Sequence, residues 1–355
     1  METDNINKLN VLMVGVDSKR VGGMWTVANT YITNEKYNNF VNLSYVATST
    51  GGSVINRLLK MLTGYLRIVV ILCCKHIDIV HIHMAEKGSV YRKGIVIKLA
   101  KLFHTKVVVQ MHAGPIMDWY DKLDNRQKNI VKQIFNNCDK MMVLGEYWIR
   151  QLFSILPKNK LVVLYNGTKC PSQNRYNVNG NYILFLGMIT EKKGAYDLIE
   201  AISLINEKLP SIIKVAIAGV DFDHKAQIFA QSKGLKDRII FLGWINTEQK
   251  ETLFSNTIMC VLPSYFEGLS MTVIESMAHG IPILTTNIST MPEVVGKDYK
   301  VIEPGNINDL AQMILEFARN KELRLKSSEY LFKRATTLFS EEAMIEKTLN
   351  IYKTI

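Results

Sequence analysis

The chain has 355 residues, 48% of them hydrophobic and 21% charged, with a formal net charge of +11. That length and composition admit two domains of ordinary size, each with its own core, and exclude a disordered chain. The longest apolar run of the basic half, residues 68–74 between Arg67 and Lys75, is far shorter than the roughly 20 residues a membrane-spanning helix requires.

The opening METDNINKLN is polar and acidic, without the pattern of a signal peptide. Strands are expected at 11–16, 41–48, 77–83, 106–112, 140–145 and 161–167, and helices at 23–35, 54–75, 89–103, 122–136 and 146–156. Polar TKCPSQNRYNVNGN then interrupts the rhythm and is expected as a linker. Strands resume at 182–187, 212–219, 238–243, 257–263, 281–286 and 299–304, and the remainder is helical. Continuous apolar strands alternating with helices indicate parallel sheets covered on both faces. The expected fold is α/β, with two tandem Rossmann-like doubly wound domains and a cleft between them; one large α/β domain is the alternative. The boundaries are 1–168, linker 169–181, second domain 182–338, and a C-terminal helix at 339–355.

Five cysteines (73, 74, 138, 170 and 260) are odd in number and lack metal-ligand spacing. Four lie in or beside apolar runs, so buried free thiols in a reducing, cytoplasmic setting are expected. Charge is unevenly spread: residues 1–180 hold 24 Lys/Arg against 11 Asp/Glu, and residues 181–355 hold 19 against 21. The first half is expected to face something anionic. No nucleic-acid-binding motif accompanies the charge. Basic residues instead interleave with aliphatic ones in NRLLKMLTGYLRIVVILCCK, a texture that fits the headgroups of an anionic membrane and equally an ordinary amphipathic helix.

Several strand ends carry candidate chemistry. Gly22 and Gly23 open a helix after the first strand and would let a ligand approach the backbone, although a plain tight turn explains them as well. His112 closes a strand before Gly114. His81 and His83 share one strand face without a third metal ligand. Glu86, Lys87, Arg92 and Lys93 follow that strand, where an anionic acceptor could sit. In the second half, Lys192 and Lys193 precede Gly194 and a helix, and a lysine there can neutralise phosphate. The most informative segment is LPSYFEGLSMTVIESMAHGIPILTT. It delivers Glu267 beside Gly268 and Glu275 on a helix beginning near Ser270 and stopped by Gly280 and Pro282. A loop and helix N-terminus suit a diphosphate, and carboxylates suit hydroxyls; a nucleotide sugar has both.

Together with VGGMWTVAN, VVVQMHAG, VLYNG, FLGMITEKKGAYDLIEAI, FLGW, MPEVV and EPGN, this segment resembles the retaining group 1, or family 4, glycosyltransferases of the GT-B fold, whose E-x7-E motif it carries. The resemblance implies that Glu275 binds the ribose, that Glu267 meets the donor sugar near the reacting carbon, and that Gly268, Leu269 and Ser270 hold sugar and diphosphate. It gives Lys193 the leaving diphosphate, His112 the donor sugar, Gly22 and Gly23 the phosphate loop, and includes Asn166 in the donor set. No metal or cofactor is expected, and the donor is a UDP- or GDP-sugar. The family's usual arginine is replaced by Met188, with Lys192 a candidate stand-in, and GKDYKVIEPG lacks a glycine-rich turn found in many members. The expected activity is transfer to a polyprenyl-diphosphate-linked saccharide in surface polysaccharide synthesis, by a cytoplasmic enzyme peripheral to the membrane. A non-catalytic nucleotide-sugar-binding protein is the rival. A dinucleotide oxidoreductase would need a G-x-G-x-x-G fingerprint that neither half has.

Overall fold

The computed structural model describes residues 8–19, 23–112, 114 and 116–355. They divide into two compact units, one running to Asn166 and including Glu341–Ile355, the other Gly167–Ser340. The expected boundaries at 168 and 338 thus fall at 166 and 340. Residues 169–181, expected as a linker, are fastened within the second unit: Asn174 Nδ2 donates to Ser328 Oγ (2.9 Å) and Tyr176 OH to the Ile258 carbonyl (2.8 Å).

The first unit holds a six-stranded parallel sheet, β1 (Leu9–Gly15), β2 (Val41–Ala47), β3 (Ile79–Met84), β4 (Lys106–Met111), β5 (Lys140–Val143) and β6 (Leu161–Val163), in the order β2-β1-β3-β4-β5-β6. Val11, Met13, Ile79, Ile82, Val107 and Val109 are buried, as strands covered on both faces require. Around the sheet lie α1 (Gly23–Thr33), α2 (Glu35–Phe40), α3 (Val54–Cys74) and α4 (Gly88–Leu102). The helix expected at 23–35 ends at Thr33, and Asn34 caps α2, which follows it. Asp124 and Gln127 form a capping box at Asn125–Asn136, starting that helix later than residue 122.

The helix Glu341–Lys353 completes this unit. Tyr352 and Leu349 join the core formed by Val11, Tyr31, Tyr37 and Val108, Tyr31 OH bonds Thr348 Oγ1 (2.9 Å), and Tyr37 OH bonds Tyr352 OH (3.1 Å). Thr48 N donates to the Gly15 carbonyl, fixing the loops after β1 and β2 side by side.

The second unit holds a five-stranded parallel sheet, β7 (Tyr182–Leu186), β8 (Lys214–Ala218), β9 (Ile239–Gly243), β10 (Thr257–Leu262) and β11 (Ile283–Thr285), in the order β11-β10-β7-β8-β9. The strand expected at 299–304 reduces to one bridge, Thr286 with Ile302, because Pro304 and Gly305 end the extended run at once. The expectation for the cysteines holds only in part: Cys138 and Cys260 are buried, whereas Cys73 and Cys74 are exposed at the end of α3.

Candidate active site

Three carboxyl-edge elements build the site of the second unit. β7 ends at Leu186, before Gly187, and a single helical turn, Glu191–Lys193, follows, with Thr190 as its cap (Thr190 Oγ1 accepts from Lys193 N, 3.3 Å). Gly194 then turns the chain at φ +71°, and a Cβ there would lie 2.1 Å from the Pro263 carbonyl oxygen. Only glycine fits both demands. This close approach brings the Lys193 turn against the loop that leaves β10. Tyr265 N donates to the Lys192 carbonyl (2.9 Å), and Tyr265 OH to Asp197 (2.7 Å), closing the same junction.

The β10 loop, residues 263–270, is itself immobilised. Thr286 Oγ1 donates to the Ser264 carbonyl and Thr290 Oγ1 to the Gly268 carbonyl (2.9 Å). Ser270 caps the helix Met271–Ala278, its Oγ accepting from Val273 N (3.4 Å). Thr272 Oγ1 reaches the Leu186 carbonyl (3.1 Å) and ties the helix to the end of β7. Leu269 and Ser270 are buried. The first turn of that helix thus presents its positive end beside the loop carrying Gly268.

Glu267 is only 6% exposed. Its Oε1 accepts from Lys193 Nζ (2.6 Å) and Ser264 Oγ (3.0 Å). A buried carboxylate needs such partners to offset its lost hydration. Glu275, on the second turn of the helix, is half-buried and pairs with Lys250 Nζ (2.8 Å) from the helix Thr247–Ser255. The two glutamates therefore pair with different lysines. Lys250 escapes sequence reasoning because it lies in an ordinary polar helix, and only the fold carries it to Glu275. Met188 is exposed. Lys192, expected as a stand-in for the missing arginine, places its ammonium 4.4 Å from the centroid of the Phe266 ring.

His112 and Asn166 belong to the first unit. His112 N donates to the Met84 carbonyl (2.8 Å), and His112 Nε2 bonds His83 Nδ1 (2.8 Å). The rings of His81, His83 and His112 stack in sequence, 4.9 and 5.1 Å apart, and His81 Nδ1 bonds Tyr352 OH (2.6 Å). Burial pushes His112 down to about 4 and His81 to about 3, and holds His83 well below its ordinary value. All three are neutral imidazoles at neutral pH. Asn166 is buried and its Oδ1 faces Gln110 Nε2 (3.5 Å).

At the carboxyl edge of β1, β2 and β3, a pocket of about 430 Å³ is lined by Gly23, Thr48, Glu86, Lys87, Arg92 and Lys93, among others. Lys93 is buried and donates to Thr48 Oγ1 (2.6 Å) and the Gly15 carbonyl (3.3 Å). Gly23 begins α1, with open space around its Cα; Gly22 lies outside the described residues. Among the described residues no group of three His, Cys, Asp or Glu is arranged to hold a metal ion.

Residues 168–334 match the family model for glycosyl transferases group 1. The second unit carries the domain of the group 1 glycosyltransferases. An uncharacterized glycosyltransferase of Methanocaldococcus jannaschii is 28% identical over 283 residues, 78% of this chain and 75% of that one. O-antigen chain mannosyltransferase C of Escherichia coli is 27% identical over 186 residues, 51% of this chain and 48% of the relative, so that match spans about half of each. The solved structure of Anabaena HepE in complex with UDP superposes with a TM-score of 0.76 at 12% identity, over 98% of this chain and all of that one. This glycosyltransferase has the GT-B fold: two tandem α/β domains, each with its own parallel sheet. The matched family segment contains Lys193, Lys250, Glu267 and Glu275. No helix among the described residues is long and apolar enough to cross a membrane.

Proposed function

We propose that this glycosyltransferase transfers a sugar, with retention, from a nucleotide-sugar donor to a saccharide acceptor carried on a polyprenyl diphosphate, in the assembly of a surface polysaccharide. The carrying observation is the pairing of Lys193 with Glu267 beside the N-terminus of the helix Met271–Ala278. Negative charge that develops on a leaving diphosphate is stabilised by a positive side chain and a helix N-terminus already in place. Glu267 keeps the Lys193 ammonium at the loop before donor arrives, and its own carboxylate is assigned to the sugar near the anomeric carbon.

Glu275 is assigned to the ribose hydroxyls, with Lys250 holding its carboxylate in position. The Gly268–Ser270 backbone is assigned to sugar and diphosphate, and Gly22 and Gly23 to the phosphates. For His112 the reading is a neutral imidazole that bonds a sugar hydroxyl through Nδ1, the ring nitrogen not committed to His83. Asn166 belongs to the same donor set, and Met188 stands where an arginine would add a further contact. Transfer breaks the anomeric C–O bond through an oxocarbenium-like transition state. The acceptor hydroxyl attacks on the same face and passes its proton to the departing phosphate. The reading calls for no metal, since Lys193 and the helix end supply the positive charge.

Support for the acceptor comes from the pocket with Lys87, Arg92 and Lys93, which suits a diphosphate, and from an E. coli relative named for O-antigen synthesis. A donor linked to UDP is supported by the UDP complex of the Anabaena neighbour, and GDP remains in the same class. The expected place of work is the inner face of the cell membrane. The test is a melting-temperature screen against UDP-, GDP-, ADP- and dTDP-sugars, followed by transfer with the stabilising donor. One donor should raise the melting temperature by mass action. Stabilisation by a donor that Lys193→Ala and Glu267→Ala still turn over at the wild-type rate would overturn the site.

A further inference from the structure

Helix α3 is apolar on two opposite faces. Gly64, Ile68 and Leu72 are buried, and a Cβ on Gly64 would meet the Ala47 carbonyl at 3.0 Å, so this face lies close against β2. Tyr65 OH donates to the Arg92 carbonyl (3.0 Å), fixing the helix to α4. On the outward side Ile55, Leu59, Leu62, Leu66 and Val70 recur at three- and four-residue steps, each 54–69% exposed. Exposed Cys73 continues the line. A contiguous outward apolar stripe along a 21-residue helix marks a surface that meets something other than water.

Charge identifies the partner. No acidic residue occurs between Glu35 and Asp78, whereas Arg57, Lys60, Arg67 and Lys75 lie on α3 or at its end. Lys60 is paired with Asp17 (3.5 Å). A second copy docking symmetrically would bring Arg57, Arg67 and Lys75 against their own kind, which opposes self-association. An anionic bilayer takes the apolar stripe and the cations together: acyl chains cover the first and headgroup phosphates meet the second. Because α3 does not qualify as a spanning helix, the geometry is that of a helix lying in the interface.

We propose that α3 docks this glycosyltransferase on an anionic lipid bilayer, lying parallel to its surface with Ile55, Leu59, Leu62, Leu66 and Val70 inserted. The proposal deepens the reading above, resting on its membrane-bound acceptor for biological sense but not for its test. α3 starts directly after β2, at the sheet edge that also carries the Lys87, Arg92 and Lys93 pocket. A lipid-anchored diphosphate would be presented at that edge.

The experiment is flotation of the full chain with vesicles of phosphatidylglycerol and phosphatidylcholine, against vesicles of phosphatidylcholine alone. Partitioning should favour the anionic vesicles and decline with added salt. The double variant Leu62→Asp/Leu66→Asp should bind them about tenfold more weakly at an unchanged melting temperature, because both side chains are exposed. Three results would overturn the proposal: no partitioning of the wild type, equal partitioning of the variant, or a wild-type dimer that the variant dissociates while vesicle binding persists. No donor enters this measurement, so its failure leaves the transferase reading standing, and loss of the transferase reading leaves vesicle binding untouched.

Discussion

Lys193 Nζ stands 2.6 Å from Glu267 Oε1, joining a turn after β7 to the loop after β10 across 74 residues of sequence. The pairing offsets the burial of the Glu267 carboxylate and holds the Lys193 ammonium against the loop that leads into the helix Met271–Ala278.

Lys193→Ala should therefore act twice. Transfer should fall by about 10²–10³-fold if the ammonium stabilises the leaving diphosphate. Stability should fall by about 1–3 kcal/mol, since Glu267 is left with Ser264 alone. Urea denaturation and initial-rate assays on one preparation separate the two effects. Glu267→Gln, which keeps a polar group beside Ser264, should lose transfer with a smaller change in stability.

Lys250→Ala and Glu275→Ala should share one phenotype. Lys250 bonds Glu275 at 2.8 Å, so removing either partner disturbs the carboxylate assigned to ribose. Nucleotide affinity measured by calorimetry should drop by about tenfold or more in each, as for a lost charge-assisted hydrogen bond. Additive losses in the double variant would show that the two residues act separately.

Gly194→Ala tests the backbone junction. At φ +71°, with the Pro263 carbonyl oxygen 2.1 Å from where a Cβ would stand, alanine forces the two loops apart. A destabilisation of about 1–3 kcal/mol is expected, with loss of transfer, because Lys193 precedes the displaced residue. Gly234→Ala, also at positive φ but with nothing within 4 Å, should cost less stability and leave transfer unchanged. A circular-dichroism melt and a rate assay check both.

Acid should weaken the first unit through its histidine stack. Burial lowers His112 to about 4 and His81 to about 3 in the folded chain, while the unfolded chain titrates them near 6.5. The unfolded state then binds more protons, so their contribution is complete above pH 6.5 and is lost progressively as pH falls toward 4 and then 3. For His112 the loss is about 3 kcal/mol. Denaturation midpoints at pH 7.5 and 5 should differ in the wild type and differ less in His81→Gln/His83→Gln.

The local structure around Glu267 and Glu275 was legible in sequence. Ser270 as a helix cap, Gly280 as its stop, and the positions of Glu267 and Glu275 follow from turn chemistry and apolar spacing, which act over a few residues. The same locality explains the misses. The 299–304 segment has strand composition but neighbours that end it, and the helix expected at 23–35 ends at Thr33, before a cap at Asn34 that apolar periodicity does not register. For α3, periodicity revealed apolar residues and interleaved cations, but not which of its two apolar faces the β-sheet would cover.

The sequence by itself determined the α/β class, the two-domain division and the residue types at the strand ends, because period, capping and composition are local properties. Tertiary structure alone decided that Glu275 is held by Lys250, that His112 rests on a histidine stack reaching Tyr352 across 271 residues from His81, and that the outer face of α3 is left to solvent. Those outcomes depend on which distant surfaces meet, and hydrophobic burial, being non-directional, leaves that choice to the whole packing of the chain.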